Sequence, residues 1–419
     1  MRILWFTNTP SCYSNKNAGY NGGGWISSLE KEIKEKDGID LGVCFFSSDT
    51  ESKVMQNGTT YYPITRLKKT TGYLINQLLS TTESASFYQE RMLIPKLLEV
   101  VKDFAPDIIH VFGSENIYGL IAKYVSVPVI LHIQGVLSPC YNAFLPPFIS
   151  WHNYIFQSKN PKQILQNYLE KRVWKRNATT EMRMLKSIPH FMGRTEWDYR
   201  LIKIMNPNAE YHYCSEILRD TFYSQSSERE LPSKPLFISI ISSQMYKGFD
   251  MVLKTAKLLK NMGLDFEWRI YGWTNSDLAE HIVEEKAENL NIRQMGIGSA
   301  EDLKRLLLHC TAYVHPSYID NSPNSLCEAQ ILGCACVATN VGGVSSLIKE
   351  GVTGYLVPAN DPYQMAFVLN ELSSNSEKNL LIGTAAREVA LKRHDKKDIV
   401  DRVFEIYNEV LTTSRKKKQ

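Results

Sequence analysis

Asp320 and Glu328 are two carboxylates separated by seven residues in the stretch YVHPSYIDNSPNSLCEAQILGCACVATNVGG, which runs from Tyr313 to Gly343. Between them, Pro323 suits the first turn of a helix, and Asn324 and Ser325 are good capping types. A helix beginning there leaves backbone N–H groups free to face a loop, which is an anion-binding arrangement. Taken singly, Asp320 reads as a solvated loop acid and Glu328 as an ordinary helix-surface residue. An acid on each side of an anion site, followed by the small-residue turn at Gly333, is a more specific pattern than a pair of acids.

The flanking elements must hold these groups in place. Residues 311–314 form an apolar run with the character of a buried strand, residues 325–332 carry helical spacing, and Cys336 to Thr339 form a second buried run before Gly342-Gly343. Strand, loop, helix, strand is half of a doubly wound sheet. It places Asp320 just past a strand's carboxyl end, where open α/β sheets bind ligands.

The stretch DNSPNSLCEAQILGCACVATNVGG resembles the signature of the group 1 retaining glycosyltransferases of the GT-B fold, in which two acids with this spacing hold a nucleotide-sugar. The resemblance implies an α/β protein of two Rossmann-like domains facing across a cleft, with a C-terminal helix crossing back to the first domain. It implies sugar transfer from a nucleotide-sugar, UDP- or GDP-linked, to a saccharide or lipid-linked acceptor in surface polysaccharide or glycoconjugate synthesis. The family's first acid is usually Glu; here it is Asp320, one methylene shorter. The family also presents Arg and Lys five positions apart on the diphosphate, and in SSQMYKG Lys247 fits while Ser242 stands where the Arg would be. On the same basis His132, in HIQG, faces the donor sugar, and Arg194, in HFMGR, is a candidate phosphate contact able to replace the missing cation. Asp320, Lys247 and His132 are then the catalytic group. Gly23, Gly24, Arg194, Ser242, Lys247, Gly272, Gly296, Asn324, Ser325 and Glu328 line the donor, with Gly296 beside the nucleobase. No D-x-D pair occurs, so the expectation is a reaction without a metal and without a cofactor beyond the co-substrate.

Composition limits the alternatives. At 419 residues the chain has length for two cores, and 43% hydrophobic with 22% charged residues is ordinary for a globular protein. A net charge of +4 is too small to argue for nucleic acid. Eight cysteines are scattered, with Cys44, Cys334 and Cys336 inside apolar strands, as expected of buried thiols in a reducing compartment. Cys334 and Cys336 are expected to alternate and not to share a metal. No apolar run reaches the ~18 residues of a membrane span, and the N-terminus leads straight into a strand without a signal-peptide pattern, so the expected location is cytoplasmic. The rival classes are a non-catalytic nucleotide-sugar binding protein and an NAD-dependent oxidoreductase. The latter fits poorly, because Gly22-Gly23-Gly24 does not have G-x-G-x-x-G spacing and the preceding loop is too long.

The expected domains are residues 1–228 (acceptor), 229–393 (nucleotide-sugar) and a closing helix with basic tail, 394–419. Strands are expected at Arg2 to Thr7, Asp40 to Phe46, Ile108 to Phe112, Val127 to Ile133, Ala209 to Cys214, Leu236 to Ile241, Phe266 to Gly272, Ile292 to Gly296 and Val352 to Val357. The polar run 224–234 reads as a linker. The aromatic segment 140–168 reads either as an acceptor-binding lid or as core-covering helices. Lys171 to Arg176 (KRVWKR) reads as a membrane-surface contact, giving peripheral membrane association, or as a solvated helix face.

Overall fold

A computed structural model of the chain describes residues 1–13, 24–47, 53–65, 82–224, 229–274 and 276–416. Gly23, one of the expected donor-site glycines, lies outside the described residues. The chain divides into two compact units: residues 1–141, 158–217 and 394–419 form the first, and residues 142–157 and 218–393 the second. The break therefore falls before the polar run 224–234, and the aromatic stretch 142–157 belongs to the second unit.

The first unit is built on an eight-stranded sheet in the order β3-β4-β2-β1-β5-β6-β7-β8. The strands are β1 (Arg2–Thr7), β2 (Asp40–Ser47), β3 (Val54–Gln56), β4 (Thr59–Thr65), β5 (Ile108–Phe112), β6 (Val129–His132), β7 (His190–Gly193) and β8 (Glu210–Tyr213). Among the described residues, only the β3–β4 pair is antiparallel. β3 and β4 are absent from the sequence-based expectation because their signal is weak: three residues, a turn at Asn57-Gly58 with positive φ at both, and then a longer run. Helices α1 (Gly24–Lys34), α2 (Thr82–Phe104), α3 (Pro161–Leu185) and α4 (Glu196–Met205) belong to this unit. TEWD forms the capping box of α4, with Thr195 accepting from the Asp198 N–H. The KRVWKR run lies inside α3, where Arg176 is buried, so the run is not a uniformly solvated face.

The second unit has a six-stranded, all-parallel sheet in the order β11-β10-β9-β12-β13-β14. Its strands are β9 (Leu236–Ile240), β10 (Glu267–Tyr271), β11 (Ile292–Gly296), β12 (Ala312–His315), β13 (Cys336–Thr339) and β14 (Tyr355–Val357). The central strands β12 and β13 are continuous buried runs because both faces of a parallel sheet are covered there, whereas the edge strand β11 is largely exposed. Period 2 sends Phe237, Ala312, Val314 and Val337 to one core and Ile238, Tyr313, Cys336 and Ala338 to the other. Cys334 and Cys336 share this second core, contrary to the expected alternation, because residues two apart on an extended chain point to the same side. All eight cysteines are free thiols. Two helices of this unit carry the site: α5 (Phe249–Asn261) and α6 (Asn324–Ile331).

The C-terminal helix α7 (Lys396–Lys416) returns to the first unit. There Tyr407 is fully buried and its hydroxyl lies 2.6 Å from Nδ1 of His110 and 3.2 Å from Nε1 of Trp5. Among the described residues no helix is long and apolar enough to cross a membrane.

Candidate functional site

Strands β9, β10 and β11 run outward in one direction from the middle of the second sheet, and β12, β13 and β14 in the other. The switch point lies between β9 and β12. Adjacent connections diverge there and leave a crevice at the strands' carboxyl ends. Lys247 follows β9 and Asp320 follows β12, so the topology places both at this crevice.

The two loops are locked together by their backbones. Tyr318 N donates to the Tyr246 carbonyl at 2.7 Å. Gly248 sits at φ +79, and a Cβ there would run into the Pro316 carbonyl. Gly342, at φ +53, is likewise pressed against the Asp320 carbonyl, which accepts from the Gly343 N–H at 3.0 Å. Tyr318 also donates to Asp250 Oδ2 at 2.8 Å, and Asp250 receives Lys254 at 2.8 Å.

Within that frame, Nζ of Lys247 donates to Oδ2 of Asp320 at 2.6 Å, and Nε2 of His315 lies 3.1 Å from the same oxygen. Oδ1 of Asp320 accepts from the Asn321 N–H at 3.1 Å. Burial alone would raise the Asp320 carboxyl, but the charge of Lys247 and the hydrogen bond from His315 outweigh it and hold the group far below the usual carboxylate range. Asp320 is thus an obligate acceptor at neutral pH. The Lys247 ammonium also lies 5.4 Å over the Tyr246 ring. Tyr246 meets Phe144 at 6.2 Å, and Phe144 stacks on Trp151 at 5.0 Å. The aromatic segment therefore supplies core beside Lys247, through Phe144 and Tyr154, while Phe148 is 96% exposed.

α6 starts at Asn324 with Pro323 as its N-cap and no side-chain cap, one residue later than expected for the proline. Its first N–H groups are left without a capping side chain. Ser325 does not cap; its hydroxyl accepts from the Tyr313 hydroxyl at 2.7 Å. Glu328 is buried, and Arg219 grips it bidentately, Nε to Oε1 and Nη2 to Oε2, each at 2.7 Å. Arg219 itself lies over the Phe222 ring at 4.8 Å. Ser242 is exposed and bonded to Gln244 Oε1 at 2.6 Å. Gly272 follows β10 and Gly296 ends the neighbouring strand β11, and the Gly272 N–H donates to the Gly296 carbonyl at 2.8 Å. The space where a Gly296 Cβ would lie is open.

The remaining expected residues lie in the first unit. Gly24 opens α1. His132 is 1% exposed, parallel to His110 at 5.5 Å and edge-on to Trp25 at 5.4 Å. Burial first, then the neighbouring His110 and Arg194, push its pKa well down, so it is neutral. Arg194 is 5% exposed, ion-paired with the buried Glu216 and 5.6 Å over the Trp25 ring. Its charge is already met. The geometry therefore gives no support to Arg194 as a cation standing in for the one missing at Ser242.

Two participants escaped the sequence reading. His315 is the last residue of β12, as His132 is of β6. Arg219 reaches Glu328 over 109 positions of chain, and nothing local to either residue marks the pair.

Residues 224–389 match the family model described as Glycosyl transferases group 1. Among curated proteins, the chain is 24% identical over 199 residues to the amylovoran biosynthesis glycosyltransferase AmsK of Erwinia amylovora, covering 46% of this chain and 49% of that one. It is 29% identical over 168 residues to the putative colanic acid biosynthesis glycosyltransferase WcaL of Salmonella typhimurium, covering 38% and 41%. The matches thus span about half or less of these relatives' lengths. Among solved structures, sucrose-phosphate synthase from Thermosynechococcus elongatus superposes with a TM-score of 0.72 at 12% identity, covering 98% of this chain and 99% of that one. Anabaena HepE in complex with UDP-glucose superposes with a TM-score of 0.66 at 14% identity, covering 98% and 100%. These superpositions establish the fold, two Rossmann-like units of the GT-B class. Over residues 224–389, then, the chain is similar to the group 1 glycosyl transferases, and it shares the GT-B fold.

Proposed function

We propose that the protein transfers a sugar, with retention of configuration, from a UDP-linked donor to a saccharide or lipid-linked acceptor in polysaccharide or glycoconjugate synthesis, at the cytoplasmic face of a membrane. The observation that carries this reading is the Lys247–Asp320–His315 cluster at the switch point of the unit that matches the family. HepE, a structural neighbour, was solved with UDP-glucose, which favours UDP over GDP.

In this reading the ionised Asp320 accepts hydrogen bonds from sugar hydroxyls, since it has no proton to give. Lys247 and the uncapped start of α6 meet the diphosphate, so the Lys247–Asp320 pair opens or is shared when the donor binds. The bond from the anomeric carbon to the diphosphate oxygen breaks, and a bond to the acceptor oxygen forms on the same face. The acceptor's hydroxyl proton passes to the departing phosphate, whose growing charge Lys247 stabilises. Glu328, oriented by Arg219, takes the ribose hydroxyls. No step calls for a metal or a side-chain nucleophile.

The test is UDP release from UDP-sugars by the purified protein, with and without lipid-linked and free saccharide acceptors, alongside thermal shift with UDP and GDP. Acceptor-dependent release supports the reading. A UDP-induced thermal shift without turnover of any donor would favour a nucleotide-sugar binding protein instead.

A further inference from the structure

His190 opens β7 and Glu210 opens β8, the edge strand of the first sheet. The two residues are directly paired in a parallel register, so they point to the same face, and His212, two positions on, joins them there. One nitrogen from each histidine and a carboxylate oxygen of Glu210 lie within 4.8 Å of one another. Nδ1 of His190 is 3.4 Å from Oε2 of Glu210. A tetrahedral ion with ligands at about 2.0–2.1 Å sets neighbouring donor atoms roughly 3.3 Å apart, so this pair already has the spacing of two ligands of one ion.

The surroundings complete the pattern. α7 brings Oε2 of Glu409 to 3.2 Å from Nδ1 of His212, and His212 Nε2 is buried without a hydrogen-bond partner among the described residues. A carboxylate on one ring nitrogen with the other nitrogen free is how metal-bound histidines are oriented. Arg402 is the cation facing this group, and it is held by Glu405 at 3.0 Å and by the other oxygen of Glu409 at 3.1 Å.

We propose that His190, Glu210 and His212 bind a divalent transition-metal ion of the zinc class, with Glu409 orienting His212, and that the ion clasps α7 to the edge of the first sheet. Its place at the start of β7 and β8, in the unit that does not carry the Lys247–Asp320 cluster, makes it a structural site. A mixed imidazole and carboxylate set suits Zn²⁺ over Mg²⁺ or Ca²⁺.

The experiment uses untagged full-length protein, stripped with a chelator and titrated with Zn²⁺ by calorimetry, and with Co²⁺ followed by visible absorption. One ion per chain is expected, with a tetrahedral Co²⁺ spectrum and a raised melting temperature. Glu210→Gln alters a half-exposed side chain and should fold normally while losing stoichiometric binding. His212→Gln should do the same, and Glu409→Gln should weaken binding by about 10–100-fold. Absence of stoichiometric Zn²⁺ binding, or equal binding by wild type and Glu210→Gln, overturns the proposal; the latter result would place the ion elsewhere, on thiols for example.

Discussion

Replacing Lys247 with Ala tests the proposed chemistry most directly. The ammonium donates to Asp320 Oδ2 at 2.6 Å, within a pair whose side chains are 22% and 17% exposed. A charge-assisted hydrogen bond in such a setting contributes about 1.5–3 kcal/mol, and the folded protein should lose roughly that much in urea unfolding at neutral pH. The sign of the pH dependence follows from Asp320. Lys247 and His315 depress its folded pKa against the upward push of burial, so the pair's stabilisation is present above the ordinary carboxylate range and is lost as pH falls through the depressed value. The gap between wild type and Lys247→Ala should therefore be full at neutral pH and shrink on acidification. In turnover the loss should exceed the loss in stability. The same ammonium is the cation nearest the leaving phosphate in the proposed reaction, and removing one preorganised donor to a developing anion costs about 2.7–4 kcal/mol, or roughly 10²–10³ in rate. UDP release coupled to acceptor glycosylation gives kcat/KM, and Lys247→Arg, which keeps the charge, should retain more activity than Lys247→Ala. Wild-type transfer by a folded Lys247→Ala would refute the role of Lys247 and with it the proposed stabilisation of the leaving group.

Other outcomes follow from the same geometry. Glu328→Gln should weaken UDP binding in calorimetry and leave Arg219 with half of its bidentate partner, whereas Asp320→Asn should bind UDP nearly normally and lose transfer; two variants with unaltered kinetics would remove both acids from the donor site. Arg194→Ala should destabilise the fold by about 3–5 kcal/mol, because it removes the cation paired with the buried Glu216. Adding Ser242→Arg should not restore it, and rescue of transfer by that double variant would show that Arg194 serves the phosphate after all. Glu181 is 1% exposed, and burial pushes its pKa up to about 7, against the hydrogen bonds from Leu137 N, Ser114 and Ser138 N. Its folded state holds a proton that the unfolded chain releases near the ordinary glutamate value, so stability should fall by roughly 3 kcal/mol as pH rises from that value to about 7. Glu181→Gln should flatten that part of the stability curve in urea titrations.

Much of the second unit was legible from residue order. Buried parallel strands leave continuous apolar runs, and the run at Cys336–Thr339 coincides with β13 to the residue. Asp320 could be placed at a ligand crevice because a loop acid after a buried strand, followed by a proline-led helix start, is a local pattern. The short β3 with its Asn-Gly turn was not legible, since three residues show too little periodicity to distinguish a strand from a loop. The assignment of 142–157 to the second unit was equally hidden, because it depends on Phe144 packing beside Tyr246, about a hundred positions away.

What the sequence by itself determined, then, was the alternation of strands and helices, the positions of the acids and of Lys247, and the likeness to a glycosyltransferase family. All of these are encoded in residue types within a few positions of each other. Tertiary structure alone decided which charges meet. Lys247 closes on Asp320 because two loops diverging at a switch point are pinned by Gly248 and Gly342, where no Cβ fits. Arg219 claims Glu328, and Glu216 claims Arg194, over distances in sequence that carry no local signal. Charge pairing depends on distance in space and on burial, and chain order specifies neither until the sheets have formed.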